Sequence, residues 1–428
     1  MKTALVMGIQ ASGISAAALL KREGYEVRLY DDRQETENNW RDRGEEIFAG
    51  LDLVVISPSI PGTHPVVKEA LARGIRVESE MEFGSKFLTG TKIVVTGTNG
   101  KTTTVDMLDK VLKIMGKKAR TMGNVGYPVS QVVLDGDQPD YAIIEASSFQ
   151  LEFCYTLRPK FAVLLNISPD HMDRYARYED YVNAKKRVFM GQSATDFAVV
   201  NWDTKVTRDL AEGLPSAVIQ VSAKEQKGDF YLKNNYFYMK GQPLISVRES
   251  RAKGEHNRFN MLAVMNVAYR MGATAVELAA FVREYRPLPH RIEYVGTVDG
   301  VCFYNDSKGT NVGACLSAVD SVGGGIGLIM GGSDKKEDYC DFFVAIYDRV
   351  KFVAVTGGNA EKIYSSAMKV GFTDIEITDT LDEAIEVLTH AEGVDTVLFS
   401  PASASFDRYK GYAERGEYFK SRVYALKA

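Results

Sequence analysis

VVTGTNGKTTT, residues Val94–Thr104, runs from a short apolar stretch into glycines and closes on Gly-Lys-Thr-Thr. β-Branched residues that stop at a glycine loop predict a strand. Val105, Leu108, Val111, Leu112 and Met115 then recur at helical spacing until Gly116 stops them. A strand, a loop and a helix N-terminus in that order make an anion site. The backbone N–H groups and the Lys101 ammonium surround phosphate, and the Thr102 hydroxyl reaches Mg²⁺. The loop is shorter than the common phosphate-binding pattern, with only Thr98 and Asn99 between Gly97 and Gly100. The plainer alternative is a glycine turn beside a solvated lysine; the strand–loop–helix context favours phosphate.

The surrounding chain is an ordinary globular one. At 428 residues it calls for several domains rather than one. A hydrophobic share of 45% with 25% charged residues gives ample core for a soluble protein. A net charge of −4 supplies no electrostatic argument for nucleic acid or an anionic membrane as partner. Cys154, Cys302, Cys315 and Cys340 lie far apart and form no metal-type pair, so buried reduced thiols are expected. The apolar run in MKTALVMGIQASG is too short for a signal peptide, and no run is long enough to span a bilayer. A cytoplasmic monomer is the expectation.

Three α/β domains are predicted, over residues 1–90, 91–290 and 291–428. In the first, TALVMG, the turn GIQASG and EVRLYDDR lay out a Rossmann-like βαβ unit, although Gly8 and Gly13 do not complete a dinucleotide fingerprint. NAD, a uridine nucleotide and a purely structural glycine turn all fit. In the second, YAIIEASSFQ leads into Glu145, FAVLLNISPDHMD into Asn166, Asp170 and His171, and FAVVNWD into Asn201 and Asp203. If these strands run parallel to Val94–Thr96, then Lys101, Thr102, Glu145 and His171 converge on one sheet edge. Ser216 to Val247 reads as antiparallel hairpins appended to this domain. GEHNRFNMLAVMNVAYRMG reads as a helix with Asn257 and Asn260 near its start. The third domain repeats the strand–loop pattern in VCFYNDSKGTN, IGLIMGGSDKKED, KFVAVTGGNA and TVLFSPASASFDRY. Its loops carry Lys308, Thr310, Lys335 and Ser405, a set suited to a polyanionic ligand.

Glu145 ends an apolar strand, where a carboxylate is costly unless it is paired or metal-bound. A helix cap or an ion pair is its structural alternative. His171 stands out only by its place after Asp170 at a strand end. Tyr178, Val182, Lys185 and Phe189 share a helical face, so Lys185 points where an apolar residue belongs. A desolvated lysine loses its proton and can be modified. A snorkelling lysine is the reading favoured by the residues alone.

The ordered set GTNGKTT, EASSFQLE, NISPDHMDRY, NWD, GEHNRFN, LPHRIE, NDSKGTN and SPASASFD resembles the Mur ligases of bacterial peptidoglycan synthesis across essentially the whole chain. The likeness is greatest to the branch that adds D-glutamate to UDP-N-acetylmuramoyl-L-alanine. The shortened phosphate loop is shared by that family. The resemblance implies an ATP-dependent ligase that makes an acyl phosphate and displaces its phosphate with the amino group of D-glutamate. It implies that Gly97 to Thr103 (Gly97, Thr98, Asn99, Gly100, Lys101, Thr102, Thr103) hold ATP phosphates. Asn124 and Glu145, with Thr102 close by, would bind one Mg²⁺; His171 and a carbamylated Lys185 would bind a second. Asn257, Asn260, Arg291 and Asp306 would border adenine and ribose, and Lys308 would act near the phosphates. Ser12, Gly13, Ile14 and Arg33 would line the UDP site, displacing the NAD reading. D-Glutamate would sit among Thr310, Lys335, Ser405 and Tyr412.

Four positions depart from the family pattern: the GGSDKKEDY loop, Gly309 for alanine, Tyr412 for phenylalanine, and Asp32 for a small hydroxyl residue. The departing loop leaves Lys335 and Lys336 as alternatives at the glutamate site. Another Mur ligase or a folylpolyglutamate synthase is the alternative within the superfamily. The acidic-Asn-Pro-Arg motif of the diaminopimelate- or lysine-adding enzyme is absent. Outside it stand a nucleotide-binding protein without ligase chemistry and an NAD-dependent reductase.

Overall fold

The computed structural model describes residues 1–33, 39–136, 138–172, 174–252, 254–334 and 337–426. Lys335 and Lys336 lie outside the described residues. The backbone divides into two compact units. One holds Met1–Pro169, Arg174–Glu249 and Phe259–Glu284; the other holds Asp170–Asp173, Ser250–Arg258 and Tyr285–Ala428.

The first unit begins with β1 (Lys2–Met7), α1 (Ala11–Arg22), β2 (Tyr25–Tyr30), β3 (Leu53–Ile56), α2 (Pro65–Ala72), β4 (Arg76–Ser79) and α3 (Glu80–Ser85). Its four parallel strands lie in the order β2-β1-β3-β4. The chain therefore moves one way from β1 and the other way from β3. The loops after these two strands, starting at Gly8 and Ser57, form the crevice where such sheets bind ligands.

A second parallel sheet follows, from β5 (Thr91–Thr96), α4 (Lys101–Ile114), β6 (Ala119–Gly123), α5 (Val129–Leu134), β7 (Tyr141–Glu145), α6 (Ser148–Leu151), β8 (Phe161–Leu164), α7 (Tyr178–Lys186), β9 (Phe197–Asn201), α8 (Lys205–Ala211) and β10 (Ala217–Val221). Its order is β10-β9-β8-β5-β7-β6, with the switch of direction between β5 and β8. Strands covered on both faces read as unbroken apolar runs, as Ile93–Val95 and Ala142–Ile144 do. α4 buries Val105, Leu108, Val111 and Leu112, the stripe expected from their spacing. One core runs through both parallel sheets of this unit, from Ala4 and Leu19 to Val94, Ile144 and Tyr181, where α1 and α3 pack on α5.

The hairpin expectation for Ser216 to Val247 needs one correction. Ala217–Val221 is β10, a parallel edge strand on β9. Only β11 (Phe230–Lys233), β12 (Tyr236–Met239) and β13 (Gln242–Ser246) are antiparallel. Their two-residue turns, Asn234-Asn235 and Lys240-Gly241, have positive φ throughout, the geometry that matches strand twist. Ala217–Val221 departs because an alternating pattern with Ile219 and Val221 buried suits an edge strand paired with β9 as well as a hairpin strand. α9 (Glu255–Arg270) and α10 (Ala275–Glu284) follow.

The remaining sheet belongs to the second unit: β14 (Glu293–Val298), β15 (Val301–Asn305), α11 (Val312–Val319), β16 (Ile326–Met330), α12 (Cys340–Ile346), β17 (Val350–Val355), α13 (Ala360–Lys369), β18 (Ile375–Ile377), α14 (Leu381–His390), β19 (Thr396–Phe399) and α15 (Tyr412–Ala425). The order is β14-β15-β19-β16-β17-β18, parallel except for β14. Asp299-Gly300 turns the antiparallel edge. Cys154 and Cys315 are buried, whereas Cys302 and Cys340 are partly exposed, which corrects the expectation that all four are buried. Among the described residues no helix is long and apolar enough to cross a membrane.

Candidate active site

At the switch between β5 and β8, two loops are stitched together before any ligand arrives. Asn99 N–H donates to Asn166 Oδ1 at 2.8 Å, and Asn166 Nδ2 donates back to the Asn99 carbonyl at 2.9 Å. Thr98 N–H donates to the Asn166 carbonyl at 2.9 Å. The buried Thr98 hydroxyl accepts from Ser168 N–H at 3.0 Å and lies 2.9 Å from Tyr181 Oη. Thr98 is thus an internal brace rather than a free donor. Gly100 takes φ +86°, and α4 starts at Lys101 with Thr104 N–H closing onto the Gly100 carbonyl. The N–H groups ahead of Thr104 have no intrahelical acceptor, so they form the anion-seeking end of the helix. Thr103 is buried and Thr102 half-buried. Lys101 Nζ folds back onto the Gly97 and Thr98 carbonyls, at 2.9 and 2.8 Å.

Beside this loop, β7 delivers Glu145 at 1% exposure. Its Oε1 accepts from Asn124 Nδ2 at 2.8 Å, and Asn124 N–H donates to the Glu145 carbonyl at 2.9 Å. Its Oε2 is buried and has no hydrogen-bond partner among the described residues. Neither a helix cap nor an ion pair accounts for that oxygen, and a buried carboxylate oxygen left bare is costly. The pair fits a hard divalent cation, which takes oxygen ligands. Among the described residues no group of three or more His, Cys, Asp or Glu side chains could hold a metal by itself, so most of the ligand shell would be water and nucleotide oxygen.

Lys185 does not snorkel. It is 2% exposed, donates from Nζ to the Gly97 carbonyl at 2.7 Å, and lies 4.7 Å from the centre of the Tyr181 ring. The amine therefore shares its carbonyl with Lys101. Burial replaces the expected solvent-facing head because Tyr181, Val182 and Ala184 enclose the same helix face.

The first sheet places Ser12 half-buried, Gly13 buried, Ile14 exposed and Arg33 exposed around the β1 and β2 loops. A Cβ on Gly8 would meet Ser57 Cβ at 2.9 Å, so the two crevice walls touch at their base. Asp31 is turned inward, accepting from Ile9 and Arg33 N–H groups at 2.8 and 2.9 Å. Asp32, the unexpected residue, is held by Tyr30 Oη at 2.9 Å and His64 Nε2 at 3.1 Å. His64 Nδ1 accepts Val66 N–H, so Nε2 is the donor to Asp32. Burial, with Asp32 next, pushes the Tyr30 hydroxyl up to about 12.

In the second unit His171 has φ +59° and its N–H donates to the buried Asp170 Oδ1 at 2.9 Å. Asp170 Oδ2 accepts from Asn311, whose own oxygen caps α11. Asn257 is buried in this unit, as Asn260 is in the first; Arg291 is half-buried. Burial pushes the Asp306 carboxyl up to about 7, against the hydrogen bond that Ser400 donates at 2.7 Å. Lys308 Nζ lies 3.9 Å from the centre of the Tyr412 ring. Thr310 is half-buried and Ser405 fully buried at the loop after β19. Lys335, assigned to the glutamate site, lies outside the described residues.

Two further residues of this unit, Arg415 and His256, are absent from the sequence-based site, and Arg415 ties its loops together. Arg415 is 3% exposed and donates to the Ser307 hydroxyl and to the Ser307, Ser403 and Ala404 carbonyls. Its signal was present: Arg415, Phe419 and Val423 form one buried stripe on α15. His256 is half-buried, with the Ser317 hydroxyl 2.8 Å from its Nδ1, and desolvation lowers its pKa to about 4.

Comparison with known proteins agrees with this architecture. Residues 95–268 match the Mur ligase middle domain, and residues 290–403 the domain described as Mur ligase, glutamate ligase domain. A UDP-N-acetylmuramoylalanine--D-glutamate ligase of Caldanaerobacter subterraneus subsp. tengcongensis is 35% identical over 100% of this chain and 99% of its own. One from Geotalea uraniireducens is 36% identical over 99% and 98%. The UDP-N-acetylmuramate-alanine ligase MurC of Thermotoga maritima superposes with a TM-score of 0.60 at 18% identity, covering 99% of both chains. The MurF ligase of the same organism, solved with ADP, gives 0.60 at 18% over 89% and 90%. On its two domain matches and its full-length relatives, this chain belongs to the Mur ligase family.

Proposed function

We propose that the protein is an ATP-dependent ligase that adds D-glutamate to UDP-N-acetylmuramoyl-L-alanine in peptidoglycan precursor synthesis. The observation that carries the proposal is the bare, buried Glu145 Oε2 beside a phosphate loop that Asn166 already holds in shape. Full-length relatives named for this activity support the choice of substrates.

In the first step a carboxylate oxygen of the UDP-linked substrate attacks the γ-phosphorus of ATP. The bond to the β–γ bridging oxygen breaks and ADP leaves. In the second, the amino group of D-glutamate attacks the acyl carbon of the acyl phosphate, loses a proton and expels phosphate. The chain's contribution is position and charge. The N–H groups at the start of α4 hold the phosphates, and Lys101, released from the Gly97 and Thr98 carbonyls, follows the moving phosphoryl group. Glu145 and Asn124, with Thr102, would hold one Mg²⁺; His171 and a carbamylated Lys185 would hold another. Magnesium, when bound, neutralises phosphoryl charge that lysines alone would leave in excess. Carbamylation adds CO₂ to the neutral Lys185 amine, with loss of a proton, and turns a buried cation into an oxygen ligand. Asn257, Asn260, Arg291 and Asp306 would border the nucleoside, Lys308 the phosphates. Ser12, Gly13, Ile14 and Arg33 would receive the UDP moiety, and Thr310, Lys335, Ser405 and Tyr412 the amino acid. The 1–90, 91–290 and 291–428 division assigns these three ligands to three domains, in a cytoplasmic monomer.

The test is phosphate release with Mg²⁺, ATP and UDP-N-acetylmuramoyl-L-alanine, in parallel with D-glutamate, L-glutamate, L-lysine or meso-diaminopimelate. Release with D-glutamate alone is expected. Release with another amino acid moves the enzyme within its family, and no release from folded, ATP-binding protein overturns the ligase reading.

A further inference from the structure

We propose that Arg174 is a positioning residue for the uridine-nucleotide substrate, bracing one wall of the first sheet's crevice against the segment that shapes the phosphate loop. The inference rests on the functional reading above for the identity of the ligand.

The crevice between β1 and β3 has the glycine turn from Gly8 as one wall and the loop from Ser57 to Gly62 as the other. Ser57 Oγ donates to the Gly8 carbonyl at 2.9 Å and ties the walls at their base. Farther out, the second wall has no strand to hold it. Arg174 supplies the hold: its guanidinium donates to the Pro58 carbonyl at 2.6 Å and the Ile60 carbonyl at 3.0 Å. The same group lies 3.8 Å from the centre of the Phe149 ring and 3.5 Å from Glu152 Oε2, and its side chain is 12% exposed. The wall ends where a Cβ on Gly62 would meet Glu152 Oε1 at 2.5 Å, so it is seated directly on the turn after α6.

Those contacts join two sites along the backbone. α6 begins three residues after Glu145, and Arg174 follows the Asn166–Ser168 stretch that clamps Asn99 and Thr98. An ammonium has three donors but only one nitrogen, so it cannot lie flat on the ring while reaching two carbonyls from separate nitrogens as Arg174 does. A planar guanidinium fork serves them together. A residue that only filled space would need none of that geometry. The wall that Arg174 fixes meets, at the base of the crevice, the Gly8 turn that leads to the residues assigned to the UDP moiety, and so sets the width open to that group, whereas the Asn99 turn of the phosphate loop is held independently by Asn166. Losing Arg174 therefore weakens one ligand and spares the other.

The experiment measures binding of UDP-N-acetylmuramoyl-L-alanine and of ATP by calorimetry, and KM for each in the phosphate-release assay, for wild type, Arg174→Ala and Arg174→Lys. Losing a charge-assisted bond predicts Kd and KM for the UDP-linked substrate raised about tenfold in Arg174→Lys and further in Arg174→Ala. ATP binding should stay within about twofold and kcat fall less than KM rises. If Arg174→Ala does not fold, Arg174→Lys decides alone, since it keeps the charge and the stem over Phe149. Unchanged affinity for the UDP-linked substrate, or equal weakening of both ligands, overturns the inference. Wild type that binds ATP but not the UDP-linked substrate overturns the functional reading, and this inference with it.

Discussion

Lys185 and Arg415 are both buried cations, one in each unit, and the molecule treats them differently. Arg415 donates to three carbonyls and a hydroxyl, all from the loops after β15 and β19. Burial lowers its pKa to about 10, which still leaves it charged at neutral pH. Lys185 donates to the Gly97 carbonyl and faces the Tyr181 ring. A planar cation with several fixed acceptors is a fastener. The buried amine is the group proposed above to take up CO₂. Position on an apolar stripe marks both in the sequence.

The largest effect should come from the amine. Lys185→Ala is expected to lower kcat about a thousandfold, comparable to the loss of a principal electrostatic group, in protein that still folds and binds ATP though a cavity lowers its melting temperature. Added short carboxylates should restore part of the rate by standing in for a carbamate. Full activity in the unrescued variant would refute the role. Lys101→Ala should lose as much and gain nothing from carboxylates, which separates phosphate binding from metal binding.

Arg415→Met should act on stability instead. It leaves the Ser307, Ser403 and Ala404 carbonyls bare, a loss on the order of 3–5 kcal/mol in urea unfolding, with Arg415→Lys recovering less than half. Equal stability in Arg415→Met would mean that these loops fasten themselves.

Glu80 extends the comparison to a buried anion. It is 1% exposed, accepts Ser130 N–H at 2.6 Å, and burial pushes its pKa from 4.5 to about 7. The folded protein thus holds this proton more tightly than the unfolded chain does. Its contribution is fully present below the unfolded pKa and is lost as pH rises towards 7, by about 3 kcal/mol in all. Glu80→Gln should flatten stability between pH 4.5 and 7 and exceed wild type at pH 8. A wild-type profile with no slope in that window would show the carboxyl ionised.

Much of this was legible. Unbroken runs such as YAIIE and FAVLL announced parallel strands because both faces are covered, and VVTGTNGKTT placed its loop and helix within a residue. Glu145 and Lys185 stand out because each breaks an apolar pattern, but the burial of the Lys185 amine does not show in the sequence, where a snorkelling head fits as well. Asn166 was visible as a polar strand end, but its exchange of hydrogen bonds with Asn99 was not, since 67 residues separate them. Arg174 was hidden because its two short bonds go to the distant Pro58 and Ile60 carbonyls, and main-chain acceptors carry no sequence signal. β10 was misread because alternation is shared by hairpin strands and by the exposed edge of a parallel sheet.

The smallest effect compares the two ends of α4. Gly100 and Gly116 both take positive φ, +86° and +67°. A Cβ on Gly116 would meet nothing within 4 Å among the described residues, whereas a Cβ on Gly100 would meet the Asn260 amide at 3.1 and 3.2 Å and Leu165 Cδ1 at 3.3 Å. Alanine at either end incurs the left-handed backbone term, about 1–2 kcal/mol of stability. Only at Gly100 must a neighbour also give way, and that neighbour is a residue assigned to the nucleoside. Gly116→Ala should therefore cost stability alone. Gly100→Ala should cost slightly more and also weaken ATP binding about tenfold by displacing the first N–H groups of the helix. If both variants bind ATP as wild type does, the N-terminus of α4 is not where phosphate sits, and the bare oxygen of Glu145 needs another explanation.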